Sequence, residues 1–239
     1  RLVHTILGVA AASFGSAAFN QLAEIDLDAH MKRTADRPLP ARRMDPMLAF
    51  GVGWVLSAIG IIHLAVKVGN MAAYLTAFTI AIYVFVYTPL KRVSTLNTFI
   101  GAIPGAVPPV IGWVAAGGDM GWEAWFLFAL LFFWQLPHFI AINWLCREEY
   151  ELAGYKMWSN GDVTGRKSGV LAAIYSLCLA AISLIPPLVG FANVMWTIGG
   201  PLLGLLMMAL AVKFAADGER SSARRLFLFT LLYLPVCLL

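Results

Sequence analysis

Charge is scarce in this sequence. Only 13% of the 239 residues are Asp, Glu, Lys or Arg, about half the fraction a soluble globular domain carries. Cysteine is scarcer still. Cys146, Cys178 and Cys237 stand far apart, which excludes a disulfide framework, a zinc cluster and a Cys-x-x-Cys-His heme attachment, and predicts free thiols. Alternating segments of about ten residues, the mark of a membrane β-barrel, are also missing. The modest net charge of +4 and pI near 9.1 call for no nucleic-acid partner.

What is abundant is apolar sequence. Hydrophobic residues make up 60% of the chain and the mean hydropathy is +0.78. Long apolar runs lie near 2–23, 47–66, 71–90, 95–116, 122–145, 168–190, 193–214 and 223–239. Each is long enough to cross a bilayer as a helix. The expectation is an all-α polytopic membrane protein with about eight transmembrane helices in one domain, 1–239. The chain opens on Arg1 and stops at Leu239 inside apolar runs, so an incomplete N-terminus is expected.

Basic residues fall in alternate loops. The first loop has Lys32, Arg33, Arg37, Arg42 and Arg43, the third Lys91 and Arg92, the fifth Arg147, Lys156, Arg166 and Lys167, and the seventh Lys213, Arg220, Arg224 and Arg225. The loops between hold Lys67 alone. Lysine and arginine collect on the cytoplasmic or matrix side of membranes, where anionic lipid attracts them. The acid-rich segments lie on that side too.

The densest of these segments runs from Asn20 to Leu39. Asn20, Glu24 and Asp28 are each four residues apart and share one face of a helix. Two carboxylates and an amide so placed suit a hard cation. With Lys32, Arg33 and Arg37 following, the set suits a magnesium-bound diphosphate. A solvated loop between spans is the competing reading. Tyr87 and Lys91 are also four apart and either share a polar pocket or sit at the membrane interface. Asn97 continues that patch at the start of a span rich in Gly and Pro, expected to be kinked. Gln135, His138 and Asn143 are polar groups inside an apolar span and are expected to face the bundle interior. His138 and Glu149 fall on one helix face. His4 and His63, near the opposite membrane face, carry no assigned role, and His30 is expected to be a loop residue.

Four segments in order resemble a known family: Asn20-x-x-x-Glu24-x-x-x-Asp28 with Met31-x-Arg33-Thr34-x-x-Arg37-Pro38-Leu39; Tyr87-Thr88-Pro89-Leu90-Lys91-Arg92; the Gly/Pro-rich run from Asn97 to Trp113; and Pro137-His138-Phe139 leading to Arg147-Glu148-Glu149-Tyr150. Together they resemble the UbiA-type intramembrane prenyltransferases, and within them the branch that farnesylates protoheme IX. Two departures stand out: the family often carries Asp where this chain has Glu24, and its members usually have nine spans. The resemblance implies a UbiA-like helical bundle that transfers a farnesyl group from farnesyl diphosphate to heme B, making heme O for a downstream heme A synthase. It implies Mg²⁺ on Glu24, Asp28, Glu148 and Glu149. Asn20, Tyr87 and His138 would join the catalytic set. Lys32, Arg33, Arg37, Lys91, Arg92 and Arg147 would bind the diphosphate. A quinone-precursor prenyltransferase shares this metal site. A secondary transporter and a structural heme-binding subunit are the competitors from other classes, and charges confined to one membrane side argue against the transporter.

Overall fold

The computed structural model describes residues 1–190 and 194–238, which contain helices and no strand. Among the described residues seven helices are long and apolar enough to cross a membrane: Leu2–Ala23, Pro46–Lys67, Asn70–Leu90, Asn97–Ala115, Trp122–Leu145, Arg166–Leu188 and Val194–Asp217. An eighth long helix, Arg220–Leu238, begins with Arg220, Arg224 and Arg225. Among the described residues, seven of the eight apolar runs thus correspond to helices with the composition of a span and the eighth to the long helix Arg220–Leu238; residues 193 and 239 of these runs lie outside the described residues.

The chain divides into two compact units, residues 1–128 with 148–156, and 129–147 with 157–239. In the first, helix α1 (Leu2–Ala23) packs along α3 (Pro46–Lys67). Small residues set their approach: a Cβ on Gly15 would lie 2.3 Å from Ser57 Oγ, and one on Gly60 2.6 Å from the Ala12 nitrogen. Close backbone approach of this kind supplies the dispersion contact that holds helices together in lipid, where apolar burial gives no advantage. At the far end of the same pair, His4 Nδ1 and His63 Nε2 lie 3.1 Å apart and share a hydrogen bond. These two histidines are thus partners of each other. Asp45 starts α3 by accepting from the Met47 and Leu48 amides, with Pro46 in the first turn.

Between the one-turn α2 (Ile25–Asp28) and α3 lies a loop of turns closed by its own backbone bonds, such as Arg43 N to Pro38 O. Helix α4 (Asn70–Ala81) continues into a π-helical stretch, Ile82–Tyr87, and then a last α turn, α5 (Thr88–Leu90). Helix α6 (Asn97–Ala115) stays continuous through Pro104, Pro108 and Pro109 and packs on α4. The short α8 (Arg147–Leu152) leads to the turn at Gly154, which has positive φ.

Helix α7 (Trp122–Leu145) runs from the first unit into the second. There α9 (Arg166–Ile182), followed by the short α10 (Ile185–Leu188), packs on α11 (Val194–Asp217). Their contact is again made by glycine: a Cβ on Gly204 would meet Ala180 Cα at 2.7 Å, and one on Gly169 would meet the Ala215 nitrogen at 2.5 Å. The loop before α9 is fixed by Asp162. Its Oδ2 accepts from the Ser168 amide at 2.7 Å, and its backbone carbonyl accepts from Trp144 Nε1 at 2.8 Å. Helix α12 (Arg220–Leu238) packs on α11.

Candidate active site

Helix α1 stops at Glu24, whose backbone (φ −112°, ψ 11°) leaves the helical region for one residue before α2 resumes. The i+4 ladder survives this break, because Glu24 N donates to Asn20 O and Asp28 N to Glu24 O. Asn20, Glu24 and Asp28 therefore stay aligned as their spacing predicts. All three are buried, with Glu24 3% and Asp28 1% exposed.

Burying carboxylates is costly unless they are paired, and the fold supplies partners from distant segments. Lys91 Nζ donates to Glu24 Oε1 at 2.9 Å, and Asn20 Nδ2 donates to Glu24 Oε2 at 2.9 Å. The Tyr155 hydroxyl also hydrogen-bonds Glu24. Arg37 Nη1 donates to Asp28 Oδ2 at 2.7 Å, from a side chain 35% exposed. Asn20 Nδ2 further donates to Thr88 Oγ1 at 3.2 Å, and Thr88 Oγ1 donates to the Tyr83 carbonyl at 2.7 Å. A carboxylate on one side forces the Asn20 amide to present nitrogen there. Its Oδ1 is left without a partner among the described residues.

The π-helical stretch matters here. Its wider turn brings both the Thr88 amide and the Thr88 hydroxyl to the Tyr83 carbonyl, which accepts from each, and single π-turns are common at functional sites. Below it, Lys91 lies 4.6 Å from the Tyr87 ring centroid and 5.8 Å from that of Tyr155, so one ammonium is held by Glu24 and two aromatic faces. Asn97 Nδ2 donates to the carbonyls of Ser94 and Lys156, and the Lys156 amide donates to Lys91 O at 2.8 Å. These bonds pin the segment carrying Tyr155 beside Lys91.

The other expected site residues are distributed as follows. Arg92 donates to the Ala23 carbonyl, closing the end of α1. Arg33 is exposed and its Nη2 reaches the Tyr150 hydroxyl at 3.5 Å. Lys32 is exposed, and His30 is an exposed loop residue bonded to Asp26 O at 2.7 Å. Glu148 and Glu149 open α8 within the same unit. Among the described residues no three His, Cys, Asp or Glu side chains come together as a group that could hold a metal ion. Arg147 and His138 belong to the second unit. Arg147 stacks over Trp144 at 4.4 Å. His138 Nδ1 lies 2.8 Å from Thr230 Oγ1. Thr88, Tyr155 and Thr230 are the polar partners to which sequence reasoning assigned no role.

Tyr155 is only 2% exposed. Burial raises its phenol above the ordinary range; the Glu24 and Asp28 charges and the bond to Glu24 push the same way. It therefore stays protonated and able to donate at any physiological pH. Tyr155→Phe keeps the ring beside Lys91 and removes the donor. The expected result is about a tenfold loss of turnover, the equivalent of one hydrogen bond. The sign of its pH effect follows from the raised value. The native state holds this proton more tightly than the unfolded chain, so its stabilisation is complete below about pH 10 and falls as pH rises beyond it. Thermal unfolding of the wild type is expected to weaken more steeply above about pH 10 than that of Tyr155→Phe; parallel curves would exclude this role.

Comparisons with known proteins bear on the family and the fold. The model of the UbiA prenyltransferase family matches residues 1–233. A protoheme IX farnesyltransferase of Solibacter usitatus is 42% identical over 99% of this chain and 81% of its own length. The mitochondrial protoheme IX farnesyltransferase of Arabidopsis thaliana is 37% identical over 98% of this chain and 54% of its own. Among solved structures, a UbiA homolog from Aeropyrum pernix K1 superposes with a TM-score of 0.75 at 18% identity, covering 98% of this chain and 86% of that one. Low identity with close superposition shows a shared fold. The chain belongs to the UbiA prenyltransferase family.

Proposed function

We propose that this protein transfers the farnesyl group of farnesyl diphosphate to a vinyl group of heme B, with water completing the product heme O. The observation that carries the chemistry is the pair of buried acids, Glu24 and Asp28, each held against a cation, Lys91 and Arg37. That array presents carboxylate oxygens and guanidinium or ammonium donors to one ligand, and a diphosphate–cation complex needs both. The acceptor follows from the name borne by relatives about 40% identical over nearly the whole chain.

Magnesium fits the donor set in a particular way. Mg²⁺ usually takes one or two carboxylates and fills its octahedron with water and substrate phosphate. Glu24, Asp28 and the free Oδ1 of Asn20 would hold it, with Glu148 and Glu149 reserved for outer contacts. The ion would supply charge neutralisation on the leaving diphosphate. The protein's own groups do the rest. Arg37 and Lys91 exchange their carboxylates for phosphate oxygens, with Arg33, Arg92 and Lys32 adding to the field. The Tyr155 hydroxyl, and that of Tyr87, orient the same group. As the bond from C1 to diphosphate breaks, apolar helices keep water from the allylic cation. The vinyl carbon of heme forms the new bond to C1. Water then adds to the cation left beside the pyrrole and loses a proton, giving a hydroxyethylfarnesyl group and free diphosphate.

The basic residues in alternate loops support a cytoplasmic or matrix side for this chemistry, and a heme A synthase would consume the product. The test is incubation of the protein in membranes with heme B, farnesyl diphosphate and Mg²⁺, followed by mass spectrometry of extracted heme. The expected product gains farnesyl plus water and requires Mg²⁺. Unmodified heme alongside a prenylated quinone precursor would overturn the acceptor and leave the family chemistry in place.

A further inference from the structure

We infer that Thr230 fixes the tautomer of His138 so that its Nε2 lone pair ligates the iron of the heme substrate, an assignment that rests on heme B being the acceptor. Both residues belong to the second unit, His138 on α7 and Thr230 on α12. The His138 Nδ1 to Thr230 Oγ1 distance is 2.8 Å, and Thr230 Oγ1 lies 2.6 Å from the Phe227 carbonyl oxygen. A hydroxyl has one proton. Two oxygens 2.6 Å apart repel unless a hydrogen lies between them, so the Thr230 proton is committed to Phe227 O. The hydroxyl can then only accept from His138, which places the ring proton on Nδ1.

The other nitrogen, Nε2, is thereby a bare lone pair, and it has no hydrogen-bond partner among the described residues. Neutral imidazole in this form is what a transition metal binds. A metal-binding histidine almost always donates its second N–H to an acceptor that holds ring and tautomer. Here a threonine hydroxyl, polarised by a carbonyl, takes that place.

The ring is also mechanically held. It stacks on Phe227 at 4.9 Å and on Trp134 at 5.7 Å, with interplanar angles of 29° and 19°. Trp134 Nε1 donates to the Thr230 carbonyl at 2.8 Å, tying the same turn of α12 back to α7. Rotation of the imidazole would break the hydrogen bond and both stacks together. A half-buried imidazole so fixed, among flat apolar rings, suits an iron atom at the centre of a flat apolar macrocycle. Ligation holds the porphyrin; the vinyl group remains the reacting part.

The test is resonance Raman spectroscopy of ferrous heme B added to the detergent-solubilised protein, alongside heme turnover and farnesyl diphosphate binding. An iron–imidazole stretch is expected in the wild type and in Thr230→Ser, absent in His138→Ala, and lost or shifted in Thr230→Val. Heme binding should weaken about 10- to 100-fold in Thr230→Val, the usual effect of removing a ligand's supporting partner, with farnesyl diphosphate binding unchanged. Wild-type turnover on heme without an iron–imidazole band, or a band that survives in His138→Ala, would overturn the ligation and leave the farnesyltransferase reading standing. Failure of heme turnover with prenylation of another acceptor would overturn both.

Discussion

Asp28→Ala abolishes prenyl transfer, by more than about a thousandfold, while the helical bundle still folds. Two effects combine to make this the largest loss. In the proposed reaction Asp28 would contribute carboxylate oxygen to the cation on the diphosphate, and it sets the position of Arg37 through the 2.7 Å bond to its Oδ2. Single preorganised electrostatic contacts of this kind are worth about 10²–10³ in rate, and the substitution removes one and misplaces another. The cost to stability is much smaller. The neighbouring loop is tied to the backbone of Asp28, whose carbonyl accepts from Thr34 Oγ1 at 2.9 Å and from the Met31 amide at 3.3 Å. Any side chain preserves those bonds, and the partly exposed Arg37 can rehydrate. Circular dichroism and thermal unfolding in detergent should show a helical protein weakened by about 1–3 kcal/mol. Asp28→Asn keeps the shape and is expected to be nearly as inactive. Wild-type rates in either variant would remove Asp28 from the chemistry.

Lys91→Met separates structure from catalysis at the other ion pair. The Glu24 carboxylate, 4% exposed, would keep only the neutral donors Asn20 and Tyr155. Removing one partner of a buried pair costs about 3–5 kcal/mol, because the remaining charge is left uncompensated. Both the melting temperature and turnover are therefore expected to fall, turnover by at least about a hundredfold. The double variant Glu24→Gln with Lys91→Met removes both charges. Its stability should recover toward the wild type, since a neutral amide can bond Asn20 and Tyr155 without an ion. Its activity should not recover, since the oxygen ligand and the phosphate-binding ammonium are both gone. A double variant that regained turnover would reduce the pair to a structural role.

The sequence disclosed the first half of this site and hid the second for a definite reason. Asn20, Glu24 and Asp28 belong to one local repeat of four, and local spacing converts directly into a shared helix face. Their partners come from Thr88, Lys91 and Tyr155, far along the chain, and no spacing rule measures distance between spans. The basic stripe of the third loop was legible as charge; its pairing with Glu24 was not. Tyr155 looked like one aromatic among many in a Gly-Tyr-Lys-Met-Trp run. The π-helical stretch Ile82–Tyr87 was hidden for another reason: its six residues are apolar, with neither Gly nor Pro to mark an irregular turn. Conversely, the spans themselves were readable almost to the residue, because bilayer thickness dictates their length. The run at 122–145 is reproduced as Trp122–Leu145. Glu148 and Glu149 share the unit but form no cluster of three with Glu24 and Asp28.

That π-helical stretch also makes the third span a calibrated length rather than a mere apolar filler. In a regular α-helix each residue advances the side chains by about 100°, whereas a π turn takes up one extra residue within a single turn. Were the same residues to wind as regular α-helix, everything after them would rotate by roughly that angle, carrying Thr88 away from Asn20 and Lys91 away from Glu24. A hydropathy profile would not register the change, yet the phase between the span and the Lys91 ammonium would be gone.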